Sequence, residues 1–264
     1  MKANDDKAAA FHHDYPYRLR IQHPEYAELR IERKGRFLRI DPSDAPTGDE
    51  VVVLTSTAPH RVRATVEALQ AGTRLTVVAT QPVLDWLGTL GTIDGGTYPR
   101  TVDGVALDAM GYTPPRQARP LSHFLRASVA GARPKSTLKR IAEQVRWPTV
   151  EPQVLQLTFP DGARLVHLDL ALHAGTEEAW LDRAVARFGA PEWLVVGVPW
   201  GEGEAVVRHA GRFGAKRVLV TEMQNAERRE LGLPTELVTP VRDALVAQGI
   251  EAHVFATQAS YRFE

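Results

Sequence analysis

Apolar residues fall into two alternating patterns along this chain. Over residues 15–41 they are spread through a polar background, at Leu29, Ile31, Phe37, Leu38 and Ile40, with Lys34-Gly35 in the middle. That spacing predicts paired strands joined by a tight turn and ending at Asp41-Pro42. The next pattern is a solid run, Val51-Val52-Val53-Leu54, followed by Thr55-Ser56-Thr57-Ala58-Pro59 and a helix opening near His60. A short unbroken apolar run bounded by turn residues predicts a strand buried on both faces. Val62, Val66 and Leu69 then recur at helical spacing up to Gly72. Leu75–Ala79 predicts a strand and 82–87 a short helix. Residues 91–96 read as a loop and 102–109 as a further strand pair.

The second half repeats the first. Residues 153–159 and 163–170 predict a hairpin around Pro160-Asp161-Gly162, its second strand reaching Asp169 as the earlier one reaches Asp41. A helix follows, capped by Thr176, with Glu177 and Glu178 in its first turn and Trp180, Leu181 and Val185 on one face. Further strands are predicted at 193–198, 217–221 and 252–256, with helices at 202–213 and 240–248. Between the halves, residues 114–150 break the rhythm with Pro114, Pro115, Pro120 and Pro134 and a single helix at 136–145. This segment holds eight Lys or Arg against one acid, Glu143, so the formal net charge of +0 conceals a basic insertion on an acidic body. Surface pairing with carboxylates of its own domain accounts for it better than a partner-binding lid. The predicted organisation is a tail at 1–14 and one α/β domain at 15–264 carrying the insertion.

Composition narrows the function classes. With 44% hydrophobic and 24% charged residues the chain can bury a core. The balanced charge gives no reason to expect nucleic acid or an anionic membrane as partner. Zero cysteines exclude disulfides, thiolate nucleophiles and cysteine-ligated zinc. The N-terminus is too polar for a signal peptide and no apolar run reaches membrane-spanning length, so a cytoplasmic protein is expected.

A strand ending in Asp-Pro, a polar link, then a strand-Leu-Thr-turn-helix resembles the metallo-β-lactamase superfamily, in particular its lactonase-like branch. The resemblance implies a four-layer αββα sandwich and, in active members, two metals held by a Thr-His-x-His-x-Asp-His turn. Here that frame reads Thr55-Ser56-Thr57-Ala58-Pro59-His60-Arg61. By the resemblance, the first two histidines fall at Ser56 and Ala58 and the Asp-His pair at His60 and Arg61. A third histidine falls near Tyr112, the bridging aspartate is Asp169, and the last histidine falls near Glu222. Alanine cannot bind metal, serine is a weak ligand, and Arg61 puts a permanent positive charge where a cation would sit. The expectation is therefore a metal-free pseudoenzyme with no cofactor. Ser56, Thr57, His60, Arg61, Tyr112, Asp169 and Glu222 would line a vestigial pocket for a small anionic ligand or a protein partner.

Two alternatives stay open: a hydrolase with a rebuilt mononuclear site around His60, His167, Asp169, His173 and Glu222, and a regulatory protein that uses the basic insertion. Ser56 or Thr57 with His60 could suggest a nucleophile, but the turn lacks flanking glycines and Pro59 removes a backbone donor. Capping of the following helix is the better account of these hydroxyls. Gly201-Glu202-Gly203-Glu204 is read as a helix start, because its carboxylates would repel a phosphate. His12-His13 is read as incidental.

Overall fold

The computed structural model describes residues 19–23, 28–33, 36–114, 147–223, 225–230, 234–256 and 260–263. The predicted tail, the Lys34-Gly35 turn and the predicted helix at 136–145 lie outside them. Strands β1 (Leu19–Gln22), β2 (Leu29–Arg33), β3 (Arg36–Ile40), β4 (Val51–Val53), β5 (Leu75–Val78) and β6 (Ile93–Gly96) are joined by the C-terminal strand β14 (Ser260–Phe263) in one seven-stranded sheet of order β14-β1-β2-β3-β4-β5-β6. Strands β7 (Arg100–Val102), β8 (Val105–Gly111), β9 (Gln153–Thr158), β10 (Arg164–His167), β11 (Trp193–Gly197), β12 (Arg217–Thr221) and β13 (Glu251–Phe255) form the second, of order β13-β12-β11-β10-β9-β8-β7. Each sheet passes from antiparallel pairs to parallel ones at matching points, β3–β4 in the first and β10–β11 in the second. The repeat in the sequence is thus a repeat in the topology.

Three apolar layers follow from the alternation. Leu38 and Ile40 of β3, Leu165 of β10, Val195 of β11 and Leu219 of β12 meet between the two sheets. The solid runs of β4 and β11 present their other residues outward: Val52 packs under α1 (Pro59–Gln70) and α2 (Gln81–Gly88), while Leu194 and Val196 pack under α3 (Glu178–Phe188), α4 (Gly203–Ala210) and α6 (Thr239–Ala247). These helical layers on the two outer sides complete a four-layer αββα sandwich, because both faces of these strands are apolar. A short helix α5 (Asn225–Glu230) lies in the connection between β12 and α6. Among the described residues no helix is long and apolar enough to cross a membrane.

Several boundaries differ from expectation for identifiable reasons. Residues 93–96, read as a loop, are the edge strand β6. Its backbone pairs with β5, which the Gly95-Gly96 sequence does not advertise. The helix expected over 202–213 ends at Ala210 and tightens into a 3₁₀ turn over Gly211–Phe213, closed by Gly214 in the left-handed region at φ 59°. Thr176 does not cap α3. Its hydroxyl donates to the Ala171 carbonyl at 2.8 Å and accepts the His173 amide, and Glu177 takes the N-cap position without a side-chain bond.

The outer face of the first sheet carries a buried ion network. Arg39 (3% exposed) donates to Glu28 at 2.7 Å and Glu50 at 3.2 Å, and also pairs with Asp44; the Glu28 side chain is 0% exposed. Removing one partner of a buried pair leaves an uncompensated charge, which costs far more than the pair contributes. Arg39→Met should therefore destabilise the fold by about 3–5 kcal/mol in urea unfolding. Arg212→Met, whose partners Glu178 and Asp182 are exposed, should leave the unfolding midpoint essentially unchanged.

Candidate functional site

The buried face of α1 is set by Arg61, Val62, Thr65, Val66 and Leu69. Val62, Val66 and Leu69 pack on the sheet. Arg61, in the first turn, lies beyond the strand ends, where an apolar residue would find no sheet to cover. The turn leading to it is held without a side-chain cap. Ala58 is the N-cap, Pro59 takes the first helical position, Ser56 Oγ accepts the Ala58 amide at 3.3 Å, and Thr57 donates to the Pro148 carbonyl. The hydroxyls expected to cap α1 thus sit too early in the chain to do so.

Arg61 is 4% exposed and its guanidinium lies between two aspartates that are each 1% exposed. Nη1 donates to Asp41 Oδ2 at 3.0 Å and Thr55 Oγ1 at 2.9 Å, Nη2 to Asp169 Oδ1 at 2.6 Å, and Nε to His60 Nε2 at 3.3 Å. Asp41 follows β3 and Asp169 follows β10, the matching strands of the two sheets. Both adopt left-handed backbone, at φ 49° and 52°, a conformation aspartate tolerates better than most residues. Asp41 also accepts the Thr55 amide at 2.8 Å and the Thr55 hydroxyl. The second oxygen of Asp169 accepts the Tyr112 phenol at 2.5 Å. Tyr98 completes the wall, its hydroxyl 3.2 Å from the Leu54 carbonyl.

The structure thus brings together Arg61, His60, Asp169 and Tyr112 of the predicted residues, with Ser56 and Thr57 in the adjoining turn. Glu222 follows β12 and, among the described residues, makes no hydrogen bond to Arg61 or either aspartate; its charge acts on His23, which in turn acts on His167. Thr55 and Tyr98 were not anticipated as part of the network. Thr55 belongs to the quoted turn and could have been suspected, whereas Tyr98 carries no local signal. Of the further candidates, His173 has both ring nitrogens engaged. Its Nε2 donates to the Thr113 carbonyl at 3.0 Å and its Nδ1 accepts the Gly175 amide at 3.1 Å. His167, 0% exposed, has neither nitrogen bonded.

Metals of the kind the fold family holds do not fit these residues. Both oxygens of Asp169 are already engaged, Ala58 offers no ligand, and a dication would lie against the Arg61 guanidinium. Among the described residues no three His, Asp or Glu converge in a way that could hold a metal ion.

Charge is shared unequally within the cluster. Burial pushes the Asp41 carboxyl up to about 6, and Arg61 and Thr55 oppose that without cancelling it. Burial also acts on Asp169, but its closer contact with Arg61, aided by His167 and Tyr112, holds it below the usual carboxylate range. Burial depresses His167 to about 4. Asp41 and His167 therefore act in opposite directions. A raised carboxyl contributes stability that is present below its unfolded value of 3.8 and lost as pH rises through about 6. A depressed imidazole contributes stability that is present above 6.5 and lost as pH falls through about 4. Each is on the order of 3 kcal/mol, so the intact protein should show little net slope from these two groups between pH 4 and 6.5. Asp41→Asn should expose a rise in stability with pH across that window, and His167→Gln a fall, in urea titrations at fixed ionic strength. Parallel profiles for the two variants would contradict the assignment.

No protein-family model matches the chain, and no curated protein is similar to it in sequence. Solved structures are similar in fold. Igni18, a novel metallo hydrolase from the hyperthermophilic archaeon Ignicoccus hospitalis, is 12% identical, with a TM-score of 0.63 over 94% of this chain and 99% of that one. An isothiocyanate hydrolase from Delia radicum gut bacteria is 13% identical, with a TM-score of 0.60 over 93% and 99%. A possible metal-dependent hydrolase from Veillonella parvula is 14% identical, with a TM-score of 0.57 over the same shares. Paired seven-stranded sheets between helical layers, the matched strand-Asp turns and this end-to-end likeness together give the chain the αββα fold of the metallo-β-lactamase superfamily.

Proposed function

We propose that this protein is a metallo-β-lactamase-fold pseudoenzyme that acts by binding a ligand or a partner. The observation that carries this reading is the Arg61 guanidinium between Asp41 and Asp169. In an active metallohydrolase, the ion between such groups activates water by lowering its pKa and polarises the substrate. A guanidinium supplies positive charge and fixed hydrogen bonds, but it has no open coordination position and does not give up a proton near neutral pH. Here its donors are directed at protein groups on three sides. The similar structures are hydrolases by name, so the difference would lie in the site and not in the scaffold.

His167 supports a second reading, a rebuilt mononuclear site, because its unbonded ring nitrogens have ligand chemistry. The engaged oxygens of Asp169 and the Arg61 guanidinium beside it weigh against it.

Metal analysis separates the two readings. Protein without a tag, dialysed after purification without chelator, should carry no stoichiometric transition metal, and added zinc should leave its unfolding free energy unchanged. A functional site in 100-fold excess metal over its Kd would instead raise it by about 2.7 kcal/mol. Arg61→Met should cost about 3–5 kcal/mol, because two buried carboxylates lose their cation. Stoichiometric bound metal, or a wild-type protein stabilised by zinc, would sink the pseudoenzyme reading.

A further inference from the structure

A cavity of about 540 Å³ opens on the helix side of the second sheet, between the end of β8 and α3. Its volume lies in the range typical of small-molecule sites. Tyr112 separates it from the Arg61 cluster. The phenol of Tyr112 reaches Asp169, and its ring meets Trp180 edge-on with centroids 6.4 Å apart. Trp180 is fixed in turn by its Nε1 donating to the Gly111 carbonyl at 2.6 Å. The aromatic wall is therefore built before any ligand arrives. Gly111 has a second role here. A Cβ at this position would lie 2.1 Å from Glu151 Oε2, so the missing side chain is what lets the Glu151 carboxylate rest at the cavity's edge.

Charge on the lining is arranged in opposition. Glu177 at the N-cap of α3, Trp180 and Arg183 follow one another at three-residue spacing, so their backbone positions share one side of the helix, with Trp180 midway along a rise of about 9 Å. Neighbouring charges are paired: Arg187 holds Asp108 at 2.9 and 2.5 Å, and Glu178 holds Arg212 at 2.5 Å. Glu151, Glu177 and Arg183 have no such partner through their charged ends among the described residues. Glu151, Glu177 and Arg183, unpaired among the described residues, surround an indole and the side chain of Met110, an arrangement that matches a molecule carrying both signs itself.

We infer that this cleft binds a small zwitterion, a free amino acid or a dipeptide with an apolar side chain. The ammonium is held at Glu151 and Glu177, the carboxylate at Arg183, and the apolar group against Trp180. The inference rests on the binding role proposed above and gives it a site that needs no metal.

Calorimetric titration with leucine, phenylalanine and glycyl-phenylalanine tests it, each compared with its amide and its N-acetyl form, in buffer containing EDTA. At least one zwitterion should bind, and blocking either end should weaken it about tenfold or more, the loss expected for one charge-assisted contact. Arg183→Ala should abolish the preference over the amide, and Glu151→Gln the preference over the N-acetyl form. Both positions are exposed, so neither change threatens the fold. Absence of binding by all three zwitterions, or equal binding of the blocked forms, would overturn the cleft assignment and leave the pseudoenzyme reading standing. Repeating the titrations with zinc in place of EDTA separates the two. Binding or dipeptide hydrolysis that appears only with zinc would overturn that reading and this one together.

Discussion

One guanidinium joins the two halves of this protein. Arg61 reaches from the first turn of α1 to an aspartate at the end of β3 and an aspartate at the end of β10, the matching positions of two sheets built on one plan. Coulomb attraction at these separations is strong wherever water is excluded, but burial of three charged groups opposes it. The arrangement holds because nearly every polar atom in it is also hydrogen-bonded. Thr55 donates to Asp41 and accepts from Arg61, and Tyr112 donates to Asp169. The left-handed backbone at both aspartates turns their carboxylates inward, and the backbone there is bonded too, with the Asp41 amide reaching the Val53 carbonyl and the Asp169 carbonyl accepting the Gly197 amide.

The surrounding connections follow from that junction. The Gln153 amide donates to the Thr55 carbonyl at 2.9 Å, and Thr57 reaches Pro148, so the turn before α1 is tied to the chain entering β9. Tyr112 belongs to β8's continuation and sits between the ion cluster and the cleft beside α3. A change in the packing of Tyr112 against Trp180 is therefore felt directly at Asp169, with no intervening residue. That contact is the shortest physical route by which occupancy of the cleft could bear on the junction.

Much of the architecture was legible in the sequence because it depends on apolar runs and on strong turn residues. Val51-Val52-Val53 and Trp193–Gly197 are buried on both faces, as solid runs imply, and Pro160-Asp161-Gly162 closes the β9–β10 hairpin. Edge strand β6 was hidden because its order comes from a neighbour's backbone and not from its own side chains. The turn Thr55–Arg61 could be set against the superfamily's motif residue by residue, and that comparison drew attention to Arg61. What surrounds it was not legible. Arg61 was expected to line an open pocket for an anion, whereas its donors are directed at Asp41, Thr55, Asp169 and His60, partners up to 108 residues away. Glu222 was grouped with the site by its place after a strand, and its charge acts on His23, the neighbour of His167 in the electrostatics of the cluster. Long-range pairing of this kind leaves no periodic trace.

The charge balance explains why these residues belong together. A pair of divalent ions can hold several carboxylates and imidazoles, whereas one guanidinium neutralises about one carboxylate. A site built around Arg61 cannot hold a full set of acidic side chains without burying uncompensated charge. Ser56, Ala58 and Tyr112 stand where the resemblance places ligands, and all three are uncharged there. Two buried carboxylates remain for one cation, and they resolve the excess between them. Asp169, at 2.6 Å from Arg61, keeps its charge, while Asp41, at 3.0 Å, is the one pushed towards protonation. His167 stays neutral beside them because a second cation there would gain little from Asp169 and lose its hydration entirely. A single histidine placed in this turn would consequently meet the guanidinium and not an open metal position. The guanidinium would have to leave first, and its departure would expose both aspartates at once.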